Sequence, residues 1–441
     1  MQKTNSLLTP LAIGAALVFG PALLGGSLPG NPGAALAQDD AEQQEQETRK
    51  TPAMREKVYK RLAKAQEAME AGDPGTALSE LESLKRQKDL NSYELAQMHT
   101  FYGYLYFDKE DYPNAIRSYE NVLAQEALPL AMETGTRYSL AQLYFATENY
   151  PKAVEALNAW FKVANNPGPD PYILLGQAYY QTKEYNKAIP PILKGMELAQ
   201  ERGKEIKENW YLILRVIYFE QGENQKVADI LETLVRLYPK KEYWIQLSGM
   251  YGELGKPRQQ TLAYEMAYLQ GLLTSGREIV TLSQLLLQSE VPYRAATILE
   301  KAINDGSVEG NAKNYRLLSQ AWMVAAEDEK AIPALVEAAR LSGDGELDVR
   351  LAQSYLNTDN WEGAVDAAKS GIAKGGVKRV DQANMILGMA LYELERYNEA
   401  LRAFREAAKD SRSAKVGAQW VQHIEKEKER VKQLADARRR G

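Results

Sequence analysis

The 441-residue chain contains no cysteine and only two histidines, His99 and His423. Without cysteine there can be no disulfide, thiolate metal site, iron–sulfur cluster or cysteine nucleophile. Two histidines far apart, neither within a ligand pattern, leave little for zinc or for a triad-type relay. A Gly-rich phosphate loop is missing too. Gly371, Gly375 and Gly376 read instead as helix stops. Nor does one sign of charge dominate: 54 basic residues face 59 acidic ones, for a net charge of −5. That balance lacks the basic footprint of a nucleic-acid binder. Ordinary usage of glycine (31) and proline (18) excludes a collagen-like or wholly disordered chain. These absences point away from an enzyme and from any metal or cofactor.

What is there divides unevenly. Lys3 is the only charged residue among the first 37, and the uncharged stretch Leu7–Leu28 follows it. Ala35-Leu36-Ala37 then offers a small-x-small exit. A charged start, an apolar middle and a small-residue exit predict a cleaved signal peptide over residues 1–37. The alternative is a retained membrane anchor, which Pro21 and several glycines weaken. No other long apolar run exists. Residues 38–54 open with QDDAEQQEQETRK, which has five acidic residues and four glutamines. Such a stretch buries too little apolar surface to offset its ordering, so a disordered acidic leader is expected.

A repeat governs the rest. Ala77, Ala115, Ala153, Ala188, Val227, Gln260, Ala295, Ala331, Ala364 and Ala400 follow one another at steps of 33 to 39 residues. Thirteen residues before most of them stands a Leu followed by a small residue, as in Leu140-Ala141, Leu175-Gly176 and Leu387-Gly388. Large side chains such as Tyr106, Tyr144, Tyr179 and Trp322 come three or four residues later. Leu at position 7, small at 8 and large at 11 share one face of a first helix; small at 20, large at 24 and small at 27 share one face of a second. Pro113 and Pro151 fall at the start of second helices, where a missing N–H costs nothing. This spacing resembles the tetratricopeptide pattern (TPR). It predicts an all-α, right-handed superhelical solenoid of about ten helix-turn-helix repeats over residues 55–411. Asn165-Asn166-Pro167-Gly168-Pro169-Asp170-Pro171 marks a break after the third repeat. Residues 412–441 read as a polar C-terminal capping helix, since terminal repeats need a polar cover.

First helices line the inner surface of such arrays, and position 9 points into it. Gln142, Gln177, Gln284, Gln320 and Gln353 stand there. A row of glutamines offers paired donors and acceptors to an extended peptide backbone. Position 12 carries Phe107, Phe145, Tyr180 and Phe219 in four successive repeats. Together the two rows form a candidate partner-binding groove. The alternative reading makes the glutamines solvated helix formers and the rings packing against a neighbouring repeat. A Lys/Asn/Arg clamp for a C-terminal carboxylate is not seen, because position 5 holds Thr100, Tyr138, Ile173 and Leu212.

Several stretches lie outside the generic repeat positions. They are Arg49-Lys50-Thr51-Pro52-Ala53-Met54-Arg55-Glu56-Lys57-Val58-Tyr59, Asn166–Tyr172, Tyr238–Tyr251 and Asp344-Gly345-Glu346-Leu347. These resemble a periplasmic tetratricopeptide component of TonB-type energy-transduction systems, and the likeness covers nearly the whole chain after the leader. The resemblance implies a periplasmic accessory scaffold beside a TonB protein and an ExbB/ExbD-type motor. It implies a part in uptake of ferric siderophores or haem through outer-membrane receptors. Membrane contact would then be made only through partners, with no nucleic acid involved. An assembly or scaffold factor for outer-membrane or cell-wall machinery is the alternative.

Overall fold

The computed structural model describes residues 53–440, so the expected signal peptide and all but the last two residues of the expected leader lie outside the described residues. Among the described residues the chain is helical throughout, with no strand. It divides into two compact units between Ile230 and Leu231. The first unit stacks four hairpins: α1 (Glu56–Glu70) with α2 (Pro74–Lys85), α3 (Ser92–Asp108) with α4 (Tyr112–Leu123), α5 (Leu130–Ala146) with α6 (Tyr150–Phe161), and α7 (Pro169–Gln181) with α8 (Tyr185–Glu201). Helix α9 (Glu208–Glu220) follows, and α10 (Asn224–Leu237) contains the division. The second unit stacks α11 (Lys241–Glu253) with α12 (Pro257–Leu269), α13 (Gly276–Gln288) with α14 (Pro292–Asn304), and α15 (Ala312–Val324) with α16 (Asp328–Leu341). It continues with α17 (Glu346–Asn357) on α18 (Trp361–Lys374) and α19 (Val380–Glu393) on α20 (Tyr397–Ala407), and ends in α21 (Ala414–Arg440). Nine packed helix pairs, with α9 and α10 in sequence between the fourth and the fifth, thus stand where the repeat spacing predicts helices.

The local chemistry of a hairpin is the same each time. Five residues before each central small residue the backbone is left-handed: Gly72, Glu110, Glu148, Lys183, Gly222, Gly255, Glu290, Ala326, Asp359 and Glu395 all have positive φ. The residue after each donates its N–H back to the position-11 carbonyl, as Asp111 does to Tyr106 at 2.8 Å and Asn149 to Tyr144 at 2.8 Å. This six-to-one bond is the Schellman closure, which satisfies carbonyls that the first helix would leave open. Four of the second helices, α2, α4, α6 and α18, then start on a side-chain cap. Asp73 accepts from the Thr76 N–H, Asp111 from Asn114 and Asn360 from Gly363. Pro74, Pro113, Pro151, Pro257 and Pro292 occupy first-turn positions without loss of a hydrogen bond.

Small residues at position 8 let the two helices close. A Cβ on Gly103 would come 2.6 Å from the Tyr119 ring, and one on Gly388 would come 2.8 Å from the Phe404 ring. In two repeats a position-8 serine bonds across the hairpin: Ser248 Oγ donates to the Gln260 carbonyl at 2.9 Å and Ser283 Oγ to the Ala295 carbonyl at 3.1 Å, whereas Ser319 Oγ donates to the Arg316 carbonyl of its own helix. Gln260 replaces the usual alanine, and Gly252 opposite it makes the room.

Between repeats the packing adds a polar tie. Tyr102 donates its hydroxyl to Glu82 at 2.8 Å, Tyr144 to Glu120 at 2.6 Å and Tyr251 to Glu232 at 2.7 Å, each reaching the second helix of the preceding repeat. Lys85, Lys152 and Lys256 lie over those same rings. The Asn165–Pro171 break is the loop between α6 and α7, with α7 starting at Pro169. Arg202 grips it through Asn166 Oδ1 at 2.7 Å and the Pro167 carbonyl at 3.0 Å. Gly375 and Gly376, both at positive φ, end α18 as expected, whereas Gly371 lies inside it and admits the start of α17. Helix α21 covers the last hairpin: Trp420 stacks on Phe404 with ring centroids 5.1 Å apart, and Ile424 is fully buried.

Candidate functional site

First helices share one side of each stack, where α1 touches α3, α7 touches α9 and α17 touches α19 directly. The candidate glutamines stand on these helices but differ in access. Gln284 and Gln320 are exposed, Gln142 and Gln353 half-buried, and Gln177 buried. Gln353 donates to Asn357 Oδ1 at 2.8 Å, and Asn357 in turn donates to Asp328 at 3.0 Å. A partner would therefore meet Gln284 and Gln320 first, while Gln353 is already engaged within its own repeat.

The aromatic row behaves differently. Phe107 packs on Tyr112 (6.0 Å between centroids), Phe145 on Tyr150 (5.3 Å) and Tyr180 on Tyr185 (6.0 Å). Each ring thus meets the first residue of the second helix in its own repeat. This contact staples the hairpin turn, and Phe145 is only 7% exposed. Burial, with Tyr185 and Glu220 nearby, pushes the Tyr180 hydroxyl above its ordinary value. Phe219 is the exception. It is 41% exposed at the end of α9 and is the ring of this row most available to a partner.

A shallow hollow of about 220 Å³ opens on the first hairpin. Its apolar floor includes Met54, Leu62 and Phe101, and Gln66, Glu67, Glu70 and Gln97 supply the polar rim. Sequence reasoning did not single it out, because its lining comes from two helices a repeat apart. The two histidines have packing roles. His99 lies beside Tyr102 with its ring pushed toward the neutral form by burial, and His423 bonds the Tyr392 hydroxyl at 3.0 Å. Among the described residues no group of three or more potential ligands could hold a metal ion. No helix among them is long and apolar enough to cross a membrane.

Carboxylates paired with cations lie at repeat junctions instead. Arg55 grips Glu94 through Nη2 at 2.5 Å and Nε at 2.8 Å, and the backbone N–H groups of Arg55 and Asn91 add to this. The guanidinium lowers the Glu94 carboxyl to about 2 despite its burial. Asp381 is held well below the ordinary carboxylate range by Arg379, with Ser413 donating at 2.7 Å and Arg412 nearby. Asp348 is claimed by Lys374 at 2.9 Å and Ser370 at 2.8 Å. All three sit at the start of a first helix, where the helix dipole favours a negative charge. They join repeats and contact no open site.

The tetratricopeptide repeat family model matches residues 62–130, 102–168, 138–199 and 349–414. No curated protein matches the chain. The chain is similar to the solved structure of a tetratricopeptide repeat protein from Parabacteroides merdae, with 17% identity over 60% of this chain and 98% of that one, at TM-score 0.34. It is also similar to MamA from Desulfovibrio magneticus (21% identity, 42% of this chain, 97% of that one, TM-score 0.34). A third is YrrB, described as a tetratricopeptide protein with an unusual peptide-binding site (14% identity, 44% and 99%, TM-score 0.35). The helical hairpins, their closures and the family matches together give this chain a tetratricopeptide repeat fold, one that in general serves protein–protein interaction rather than catalysis.

Proposed function

We propose that the protein is a periplasmic interaction scaffold, an accessory of a TonB-dependent transport complex that takes up ferric siderophores or haem. The observation that carries the scaffold part is exposure on first helices in each unit, of Phe219 in the first and of Gln284 and Gln320 in the second. A repeat array offers such a surface over a long distance without needing a catalytic centre. The TonB part rests on the resemblance of Arg49–Tyr59, Asn166–Tyr172, Tyr238–Tyr251 and Asp344–Leu347. The export part rests on the pattern of residues 1–37. Two of the resembling stretches have defined places in the fold. Asn166–Tyr172 is the loop gripped by Arg202, and Gly345 donates its N–H to the Gly375 carbonyl at 2.8 Å. Partners would be a TonB protein, ExbB/ExbD-type motor subunits or outer-membrane receptor components.

Affinity capture with residues 38–441 from envelope extract in mild detergent, read by mass spectrometry, tests this. Recovery of a TonB protein or motor subunits is the expected result. Recovery of outer-membrane assembly proteins or cell-wall enzymes alone would replace it with the assembly-factor reading.

A further inference from the structure

Three successive first helices of the second unit carry cations on one side. Arg277 of α13, Lys313 and Arg316 of α15, and Arg350 of α17 stand at positions 2, 2, 5 and 6 of their repeats. Helical spacing puts those positions on the same face as position 9, where Gln284, Gln320 and Gln353 continue the row. Arg277, Lys313 and Arg316 are exposed and Arg350 is half-buried. None of the four has a carboxylate within ion-pair distance among the described residues. Other cations of the same unit are satisfied: Lys241 by Glu278 at 3.1 Å, Lys330 by Glu327 at 3.0 Å, Arg340 by Glu337 at 2.7 Å and Lys374 by Asp348 at 2.9 Å.

The carboxylates close to this row in sequence are already engaged. Glu278, next to Arg277, accepts from the backbone N–H groups of Thr274 and Ser275 as well as binding Lys241. Glu346, one turn before Arg350, accepts the Lys378 N–H at 3.2 Å. Four positive charges are thus left without an internal counter-charge on a chain whose net charge is −5. Neighbouring like charges on one surface raise the local potential and attract an opposite charge. Three of the four are arginines, whose planar fork suits a carboxylate. Further along the same helices the surface turns aliphatic: Leu287, Met323 and Leu356 are half-buried, and Val324 is 60% exposed.

We propose that this face of α13, α15 and α17 binds an acidic segment of a partner protein. Carboxylates of the segment would lie against Arg277, Lys313, Arg316 and Arg350, and its aliphatic residues against the Val324 side. Glutamines between the two edges favour a peptide over a lipid headgroup or a polynucleotide, since they offer donors and acceptors to a peptide backbone. The proposal deepens the scaffold reading by naming the chemistry of the bound segment, and it does not depend on the TonB assignment.

Fluorescence anisotropy of a labelled peptide alternating glutamate with leucine, titrated with the chain from residue 38 to 441, tests it. Binding is expected, weakening as salt screens the charges, with a lysine–leucine peptide left unbound. In the double variant Arg316→Glu/Arg350→Glu the affinity falls roughly tenfold or more, with helicity and melting unchanged. The variant Arg258→Glu/Arg402→Glu, which reverses two exposed charges on second helices α12 and α20, keeps wild-type affinity. Should the first double variant misfold, Lys313→Gln with Arg316→Gln gives the same readout with a smaller loss. Equal loss in the second-helix variant, equal binding of the lysine peptide, or binding of phosphatidylglycerol vesicles without binding of the acidic peptide would each overturn the proposal. Because the probe is synthetic, the result is independent of whether a TonB component is captured.

Discussion

Arg55 and Glu94 lie 39 residues apart in sequence, yet their pairing ties the entry of the first repeat to the second. The carboxylate accepts the guanidinium and two backbone N–H groups, so it stays ionised to about pH 2, against an ordinary value of 4.5. A carboxyl lowered in the fold stabilises it fully above the unfolded value, and that stability is lost as pH falls through the folded value. The urea midpoint is therefore expected to drop between about pH 4.5 and about pH 2. Glu94→Gln makes that drop smaller, and an unchanged slope would show that Glu94 is not a principal acid-labile tie. Removing the partner is worse than neutralising the acid. Arg55→Ala leaves a buried carboxylate with fewer donors, and the urea midpoint at neutral pH is expected to fall further than in Glu94→Gln. Packing is equally local at the close approaches. Gly103→Ala pushes a methyl into the Tyr119 ring and costs about 1–3 kcal/mol in chemical denaturation. Tyr119→Leu in the same chain recovers part of that loss.

At the scale of the hairpin, the left-handed turn residue sets the connection between helices. Seven of the ten are not glycine, although a side chain there is disfavoured by about 1–2 kcal/mol. Gly255→Ala is expected to destabilise by about 1 kcal/mol, while Glu148→Gly is neutral to stabilising by a few tenths, since glycine also loses more freedom on folding. Thermal melts of the two variants check the sign. The short turns Asp108-Lys109-Glu110-Asp111 and Thr182-Lys183-Glu184 are legible in the sequence, but which residue in each is left-handed is not, for that reason. Glu110, Lys183 and Asp359 look like ordinary surface residues, whereas the central alanines that pack each pair recur visibly because their size is fixed by contact. Proline at the start of second helices was legible for a similar reason. The ring row was only half legible: spacing located Phe107, Phe145 and Tyr180 but not their partners, which lie five residues ahead in the same repeat. Arg316 and Arg350 escaped notice as single charges among many, and only their shared face and missing counter-charges distinguish them. The division inside α10 left no composition signal, because Asn224–Leu237 reads as an ordinary second helix.

For the molecule as a whole, stability is close to a sum over repeats and their nearest neighbours. Damage at one end should therefore stay there. Trp420→Ala removes the ring stacked on Phe404 and costs about 2 kcal/mol, below the value for a fully buried tryptophan because Trp420 is half-buried. Hydrogen exchange is expected to quicken in α19–α21 and stay unchanged in α1–α8; uniform quickening would mean that the chain unfolds as a single cooperative body. The same logic separates binding from folding at Gln284, Gln320 and Phe219, which are exposed, unlike the rings that staple the hairpin turns. The central claim, that this side captures a TonB-system partner in the periplasm, is tested most directly by photo-crosslinking in cells. A benzophenone side chain replaces either Phe219 on first helix α9 or Leu193 on second helix α8, both substantially exposed. The account predicts crosslinks from position 219 to a TonB protein or a motor subunit, and none to them from position 193. Crosslinks from position 193 alone, or from position 219 only to cytoplasmic proteins, would contradict it.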